Sequence, residues 1–247
     1  MNSDGRKETG IGFTSWSIER IRTGAKTATR RMPRLDKINK HPNEWTYLGS
    51  HSKKAIFQHE DATIIRVNLT ASPGDRIWVR EAWKIASFMP DDPIEVQFKD
   101  GVCIAERDLP DDSGYEEWWE RMAVQSTDEL IKMEWPHKSL DDMYVWKPGK
   151  SPLKFRPSIH LPRRCSRIDL ICTGIKVERL KDITEEQARA EGCDPSDYCE
   201  HADGSPVYRN AFFKVWERIY GIDNPKAVER NPWVFAVEFE LEEDRSE

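Results

Sequence analysis

Gly24-Ala25-Lys26-Thr27-Ala28-Thr29-Arg30-Arg31 is the stretch of this chain whose residue types and spacing could do chemistry. A lysine and a hydroxyl three residues apart can act as base and nucleophile, and the two arginines that follow can hold a phosphate or a carbonyl oxygen. Lysine becomes a useful base near neutrality only if its pKa falls. Burial and the nearby Arg30 and Arg31 would both push that of Lys26 down. Thr29 is then a nucleophile or a hydroxyl that positions water. Against this stands the default: a lone lysine just past a helix is a surface residue.

Two carboxylates are also out of place. Glu191 falls at the C-terminal end of a sequence-predicted helix, where the macrodipole disfavours an anion. The dipole and any burial would raise its pKa, as a general acid needs. The bland alternative is a frayed, solvated glutamate. Glu81 lies in a strand among large apolar neighbours, and a structural role as buried partner of an arginine outweighs a catalytic one. Cys193, Cys199 and His201 form a C-x5-C-x-H pattern that matches no common zinc site and lacks a fourth ligand. No metal and no cofactor is expected.

These residues need elements to position them. Ser15 to Thr23 reads as a short helix stopped by Gly24. The basic, polar stretch 34–54 reads as a long loop, and 62–70 is β-rich. Ser72-Pro73-Gly74-Asp75 is a turn, followed by a strand over Arg76–Trp83. Asp100-Gly101 marks a hairpin between 94–98 and 102–105. Residues 106–157 are acidic and carry Trp118, Trp119, Trp135 and Trp146. They read as an irregular or partly helical segment packed by its tryptophans, with base stacking by one of them as the functional alternative. A long strand follows over 166–178, with a bulge expected at Gly174. Thr184-Glu185-Glu186-Gln187 is a capping box opening a helix that ends at Glu191-Gly192. Residues 193–207 read as a loop. Tyr208, Phe212, Val215, Trp216 and Ile219 mark an amphipathic helix ended by Gly221, and Trp233, Phe235, Val237, Phe239 and Leu241 alternate as a last strand.

The whole chain, 247 residues with 38% hydrophobic and 33% charged residues, is long enough for a sizeable core without staples. It has no apolar run long enough to span a bilayer, and its polar N-terminus lacks a signal-peptide core, so no membrane association and a cytoplasmic location are expected. Five scattered cysteines suit a reducing compartment. A net charge of −6 argues against coating nucleic acid by bulk electrostatics. The basic residues are nonetheless grouped, at Arg20, Arg22, Lys26, Arg30, Arg31, Arg34, Lys37 and Lys40, and again at Arg163, Arg164 and Arg167. Brought together they make a local basic pocket; kept apart they are two solvated faces. The irregular alternation of strands and helices favours α+β over a doubly wound sheet.

Five ordered segments resemble the ASCH domain: Gly24–Arg31, Pro73–Trp83, Leu161–Ile168, Leu180–Gly192 and Asn231–Phe235. The chain looks like the large ASCH proteins common in phages and prophages. The match covers about half of it and leaves 35–70, 86–158 and 193–207 outside. The resemblance implies a PUA-like fold, a small, partly closed β-barrel flanked by helices with a cleft for RNA or a nucleoside. It implies one domain over 10–241, with a Trp-rich insertion at 86–158 and flexible termini at 1–9 and 242–247. Small bacterial ASCH enzymes hydrolyse the acetyl amide of N4-acetylcytidine with a G-x-K-T-x-T motif and a later helical glutamate. Lys26, Thr29 and Glu191 match those positions. The implied catalytic set is therefore Lys26, Thr29 and Glu191, with Arg30, Arg31, Arg80, Arg163 and Trp78 toward a nucleoside or RNA ligand. The chain departs from the pattern in its length and in Arg164, which replaces a tryptophan after Pro-Arg. Two rival functions remain, an RNA-binding PUA-like module and an ASCH-type ribonuclease.

Overall fold

The computed structural model describes residues 7–87, 95–105, 114–136, 138, 144–147, 149–197 and 207–242. The chain divides into two compact units, one of residues 1–9, 16–78 and 168–247, the other of residues 10–15 and 79–167. The 86–158 segment falls wholly in the second unit, and Cys199 and His201 lie outside the described residues.

In chain order the elements are β1 (Glu8–Gly12), α1 (Ser15–Arg22), β2 (Ala28–Arg31), α2 (Asp36–Asn39), β3 (Trp45–His51), β4 (Lys54–His59), β5 (Ile64–Asn68), β6 (Arg76–Arg80), β7 (Trp83–Ser87), β8 (Glu95–Phe98), β9 (Cys103–Ala105), α3 (Tyr115–Lys132), β10 (Asp169–Arg179), α4 (Glu185–Ala190), α5 (Tyr208–Tyr220) and β11 (Trp233–Leu241). The fold is mixed α+β. Five strands form a sheet in the order β1-β6-β10-β11-β2, and β3-β4-β5 and β7-β8-β9 form two three-stranded sheets. Among the described residues all three sheets are open and no barrel closes, in place of the small barrel that the resemblance implied. The five-stranded sheet ends on β2, only four residues long and paired with β11 alone. None of the described helices is long and apolar enough to cross a membrane.

In the first unit, β10 and β11 pair antiparallel over most of their lengths, with a bulge between Cys172 and Gly174. β11 is buried on both faces, with Phe235, Val237 and Phe239 on one and Val234 and Ala236 on the other, and Leu170, Ile77 and Leu180 join them in the core. Full burial of each such side chain contributes about 1.5–3 kcal/mol. The stretch 34–54, expected as a loop, instead contains α2, a 3-10 turn at Pro42–Glu44 and β3, which pairs with β4. Its turn is made by Ser52 and Lys53, both at positive φ (51° and 61°), a hairpin turn without the usual Asn-Gly signal.

In the second unit, Trp83, Ile85, Val96, Phe98, Trp118 and Leu130 form one buried cluster. The strand expected over Arg76–Trp83 breaks at Glu81-Ala82, so that Trp83 opens β7 in a separate sheet. The tryptophans of the 106–157 segment pack into or against this core: Trp118 is buried, and Trp119, Trp135 and Trp146 lie partly buried beside it. Trp135 Nε1 donates to Val145 O (3.1 Å) and Trp146 Nε1 to Ala86 O (2.6 Å). This satisfaction of both indole donors is what core tryptophans require.

Candidate functional site

The site is built where the end of α1 meets the end of α4, both in the first unit. Gly24, at φ 71°, ends α1 and turns the chain back. Lys26 N then donates to Arg20 O (2.9 Å) and Thr27 N to Ala190 O (2.8 Å). This lays Lys26 against Glu191 as an isolated antiparallel β-bridge. On the other side, α4 starts with the expected capping box, Thr184 Oγ1 accepting from Gln187 N (3.2 Å) and Gln187 Oε1 from Thr184 N (2.9 Å). Glu191 caps the C-terminal end, and Gly192 leaves it at φ 80°. A Cβ on Gly192 would sit 3.0 Å from both Lys26 Cβ and Arg20 Cδ. Glycine is therefore needed here for close approach as well as for its backbone angle.

Lys26 Nζ donates to Glu191 O (2.7 Å) and to Glu191 Oε2 (2.6 Å). One bond satisfies a carbonyl left open at the helix end, and the ammonium sits where the helix dipole favours a cation. Arg30 Nη1 donates to the other oxygen, Glu191 Oε1 (3.3 Å). Arg30 in turn binds Glu178 Oε1 through Nε (2.8 Å) and Nη2 (2.6 Å). The anion at the end of α4 is thus held by two cations, which offsets the dipole's penalty. Lys26, Arg30 and Glu191 are all buried, and Glu178 is largely so. Burial pushes the Lys26 ammonium below its ordinary pKa; the charge and hydrogen bond of Glu191 oppose the fall, and Arg31 adds to it.

Lys26, Arg30 and Glu191 line a cavity of about 30 Å³, together with Thr29, Arg31 and Cys193 and the α5 residues Phe212, Trp216 and Tyr220. Thr29 is 1% exposed, so its hydroxyl is enclosed beside Lys26. A second cavity, about 660 Å³ in volume, is lined by the residues that flank the bridge: Gly24, Ala25 and Thr27 on one strand, Ala190, Gly192 and Cys193 on the other. Cys193 borders both cavities. The Lys26–Glu191 bridge is the wall between a small, aromatic-lined space and a large polar one.

The structure therefore brings together Lys26, Thr29, Glu191, Arg30 and Arg31. Arg30 is committed to two carboxylates, so it orders the site from within. Trp78 lies on β6 opposite Asp169 and lines neither cavity. Arg80 and Arg163 belong to the second unit, where Arg80 Nη2 donates to Gly10 O (2.8 Å) and Arg163 opens a 3-10 turn. Among the described residues no cluster of three or more histidine, cysteine or carboxylate side chains is arranged to hold a metal.

Sequence reasoning missed Glu178 and the cover supplied by α5. The heptad-like spacing of Phe212, Trp216 and Ile219 is a signal for a packed face, without telling what that face covers. No local pattern singles out Glu178. No family model matches the chain, and neither does any curated protein or solved structure.

Proposed function

We propose that the chain is an amidohydrolase of the ASCH, PUA-like kind that removes an acyl group from the exocyclic amine of a modified cytidine or related nucleoside. The observation that carries this reading is Lys26: buried, lowered in pKa, hydrogen-bonded to Glu191 and sharing a cavity with the Thr29 hydroxyl. A lysine so placed is neutral over more of the pH range and can act as a general base.

Neutral Lys26 takes a proton from a water held beside Thr29, and the resulting hydroxide adds to the acyl carbon. The carbonyl electron pair moves onto oxygen, where the Arg31 guanidinium or backbone N–H groups stabilise it. The tetrahedral intermediate collapses, the C–N bond breaks, and its electron pair goes to the leaving amine. The proton on Lys26 passes through Glu191 Oε2 to that amine. Water and amide become carboxylic acid and amine, and Lys26 is neutral again. A cavity of about 30 Å³ holds about one water, whereas a nucleoside needs several hundred Å³. Binding of the base therefore requires the aromatic side chains of α5 to move aside.

The test is incubation with N4-acetylcytidine and chromatography for cytidine. Wild type is expected to turn over, and Lys26→Ala and Glu191→Gln to lose at least a hundredfold, the usual weight of a general acid–base group. Absence of turnover by the folded wild type overturns the reading. RNA cleavage lost in the same variants would identify a ribonuclease, and salt-sensitive RNA binding without turnover an RNA-binding module.

A further inference from the structure

Glu178 has no place in the chemistry above, yet it is tied to it through a chain of short contacts. It lies on β10 opposite Val234 of β11, while Arg30 lies on β2 opposite Ala236 of the same strand. Val234 and Ala236 are two residues apart, so Glu178 and Arg30 project from the same face of the sheet on either side of β11. The small Ala236 side chain leaves room for them to meet over it, at 2.6 and 2.8 Å. The bulge at Cys172–Gly174 sets this register for the rest of β10.

We propose that Glu178 is a positioning residue: it holds the Arg30 guanidinium so that Arg30 fixes one oxygen of Glu191 and leaves the other to Lys26. The inference rests on the amidohydrolase reading and adds a working part to the same site. Without Glu178, the cluster of two cations and two carboxylates becomes net positive. Arg30 then pulls Glu191 toward itself, and its uncompensated charge opposes protonation of Lys26. The charged and titratable groups around Lys26 are Arg20 of α1, Arg30 and Arg31 of β2, Glu178 of β10, Glu191 and Cys193 at the end of α4, and Tyr220 of α5. Of the two carboxylates, only Glu178 reaches Lys26 solely through another side chain.

The test compares kcat and KM for N4-acetylcytidine across pH in wild type, Glu178→Gln, Arg30→Met and the double variant. In Glu178→Gln, kcat is expected to fall about tenfold, within the range for directly coupled neighbours, with KM little changed. The acid limb of the profile is expected to move to lower pH by about one unit. In the Arg30→Met background, Glu178→Gln is expected to add less than about a twofold change. An unmoved acid limb, or an equal effect of Glu178→Gln with and without Arg30, overturns the proposal. If Glu178→Gln does not fold, Glu178→Asp decides the matter. It keeps the charge on a shorter arm, so the limb stays and kcat falls; unchanged kcat overturns the proposal. If folded wild type shows no turnover, the amidohydrolase reading fails by itself. The role of Glu178 is then read from a 13C NMR titration of the Lys26 side chain, which is expected to shift to lower pH in Glu178→Gln; an unmoved titration overturns it.

Discussion

Each unit of the molecule buries an ion-pair cluster, and the two are built for different ends. In the second unit, Arg167 forks onto Glu81 through Nε (2.8 Å) and Nη2 (2.6 Å), adds Asp100 at 2.7 Å, and lies 4.1 Å over the ring of Phe98. The cation of this cluster keeps its charge near neutral pH, because a guanidinium does not deprotonate. In the first unit a lysine takes the place of the forked arginine, and burial outweighs its partner so that its pKa falls. The lysine cluster also borders a cavity, with the buried Thr29 hydroxyl beside it. A buried charge pair is structural when neither member can titrate, and a candidate for chemistry when one can and has space next to it.

The largest expected effect tests that division in the second unit. Arg167→Met leaves Glu81 buried without its fork and is expected to destabilise by about 3–5 kcal/mol in urea unfolding. Arg167→Met combined with Glu81→Met is expected to recover most of that loss, since well-packed apolar residues replace a buried pair at little cost. Turnover per folded molecule should not change in the double variant. The same double exchange at Lys26 and Glu191 is expected to keep the fold and abolish turnover. A double variant at Arg167 and Glu81 that is folded and inactive would erase the distinction.

The two clusters also differ in how far the sequence discloses them. Glu81 is legible as an arginine's partner because a carboxylate among large apolar neighbours needs a counter-charge to stay ionised there, although which arginine it meets is a tertiary fact. α1, α4 and α5 are legible because their signals are local: Gly24 and Gly192 as stops, Thr184 and Gln187 as a box, the apolar spacing of Phe212 and Trp216. The β3–β4 hairpin is not, because the exposed Leu48 and the adjacent Gly49 break the alternation of β3 and its turn uses Ser52 and Lys53 at positive φ. Lys26 and Glu191 are 165 residues apart, and only the ASCH resemblance suggests that they belong together. Glu178 stays hidden although the bulge is legible at Gly174, because its partner Arg30 lies 148 residues away and meets it only across β11.

The next effect is smaller and separates the clusters by pH. The folded protein releases the Lys26 proton at lower pH than the unfolded chain, whose ordinary lysine value is 10.5. Between the two, the unfolded state binds more protons, so stability rises with pH there, by at most about 1.4 kcal/mol per pH unit. Below the folded value the contribution is flat. Urea unfolding from pH 7 to 10 is expected to show wild type gaining on Lys26→Met as pH rises, while the double variant at Arg167 and Glu81 tracks wild type. Parallel curves for wild type and Lys26→Met would mean that Lys26 is not shifted.

The smallest effect concerns how Glu191 is held. Thr184→Ala removes the capping box and is expected to cost about 1 kcal/mol. α4 is only six residues long, so a frayed start reaches its end within two turns. Yet Glu191 is also tied by its backbone bridge to Lys26 and by Arg30, neither of which depends on the cap. Stability is therefore expected to fall while kcat drops by no more than about threefold, well inside the coupling range of neighbouring groups. A loss of kcat as large as that of Glu191→Gln would mean that α4, rather than the bridge, sets the carboxylate. The site would then depend on a marginal helix, whereas the Arg167 cluster has its buried carboxylate, Glu81, on the segment joining β6 to β7.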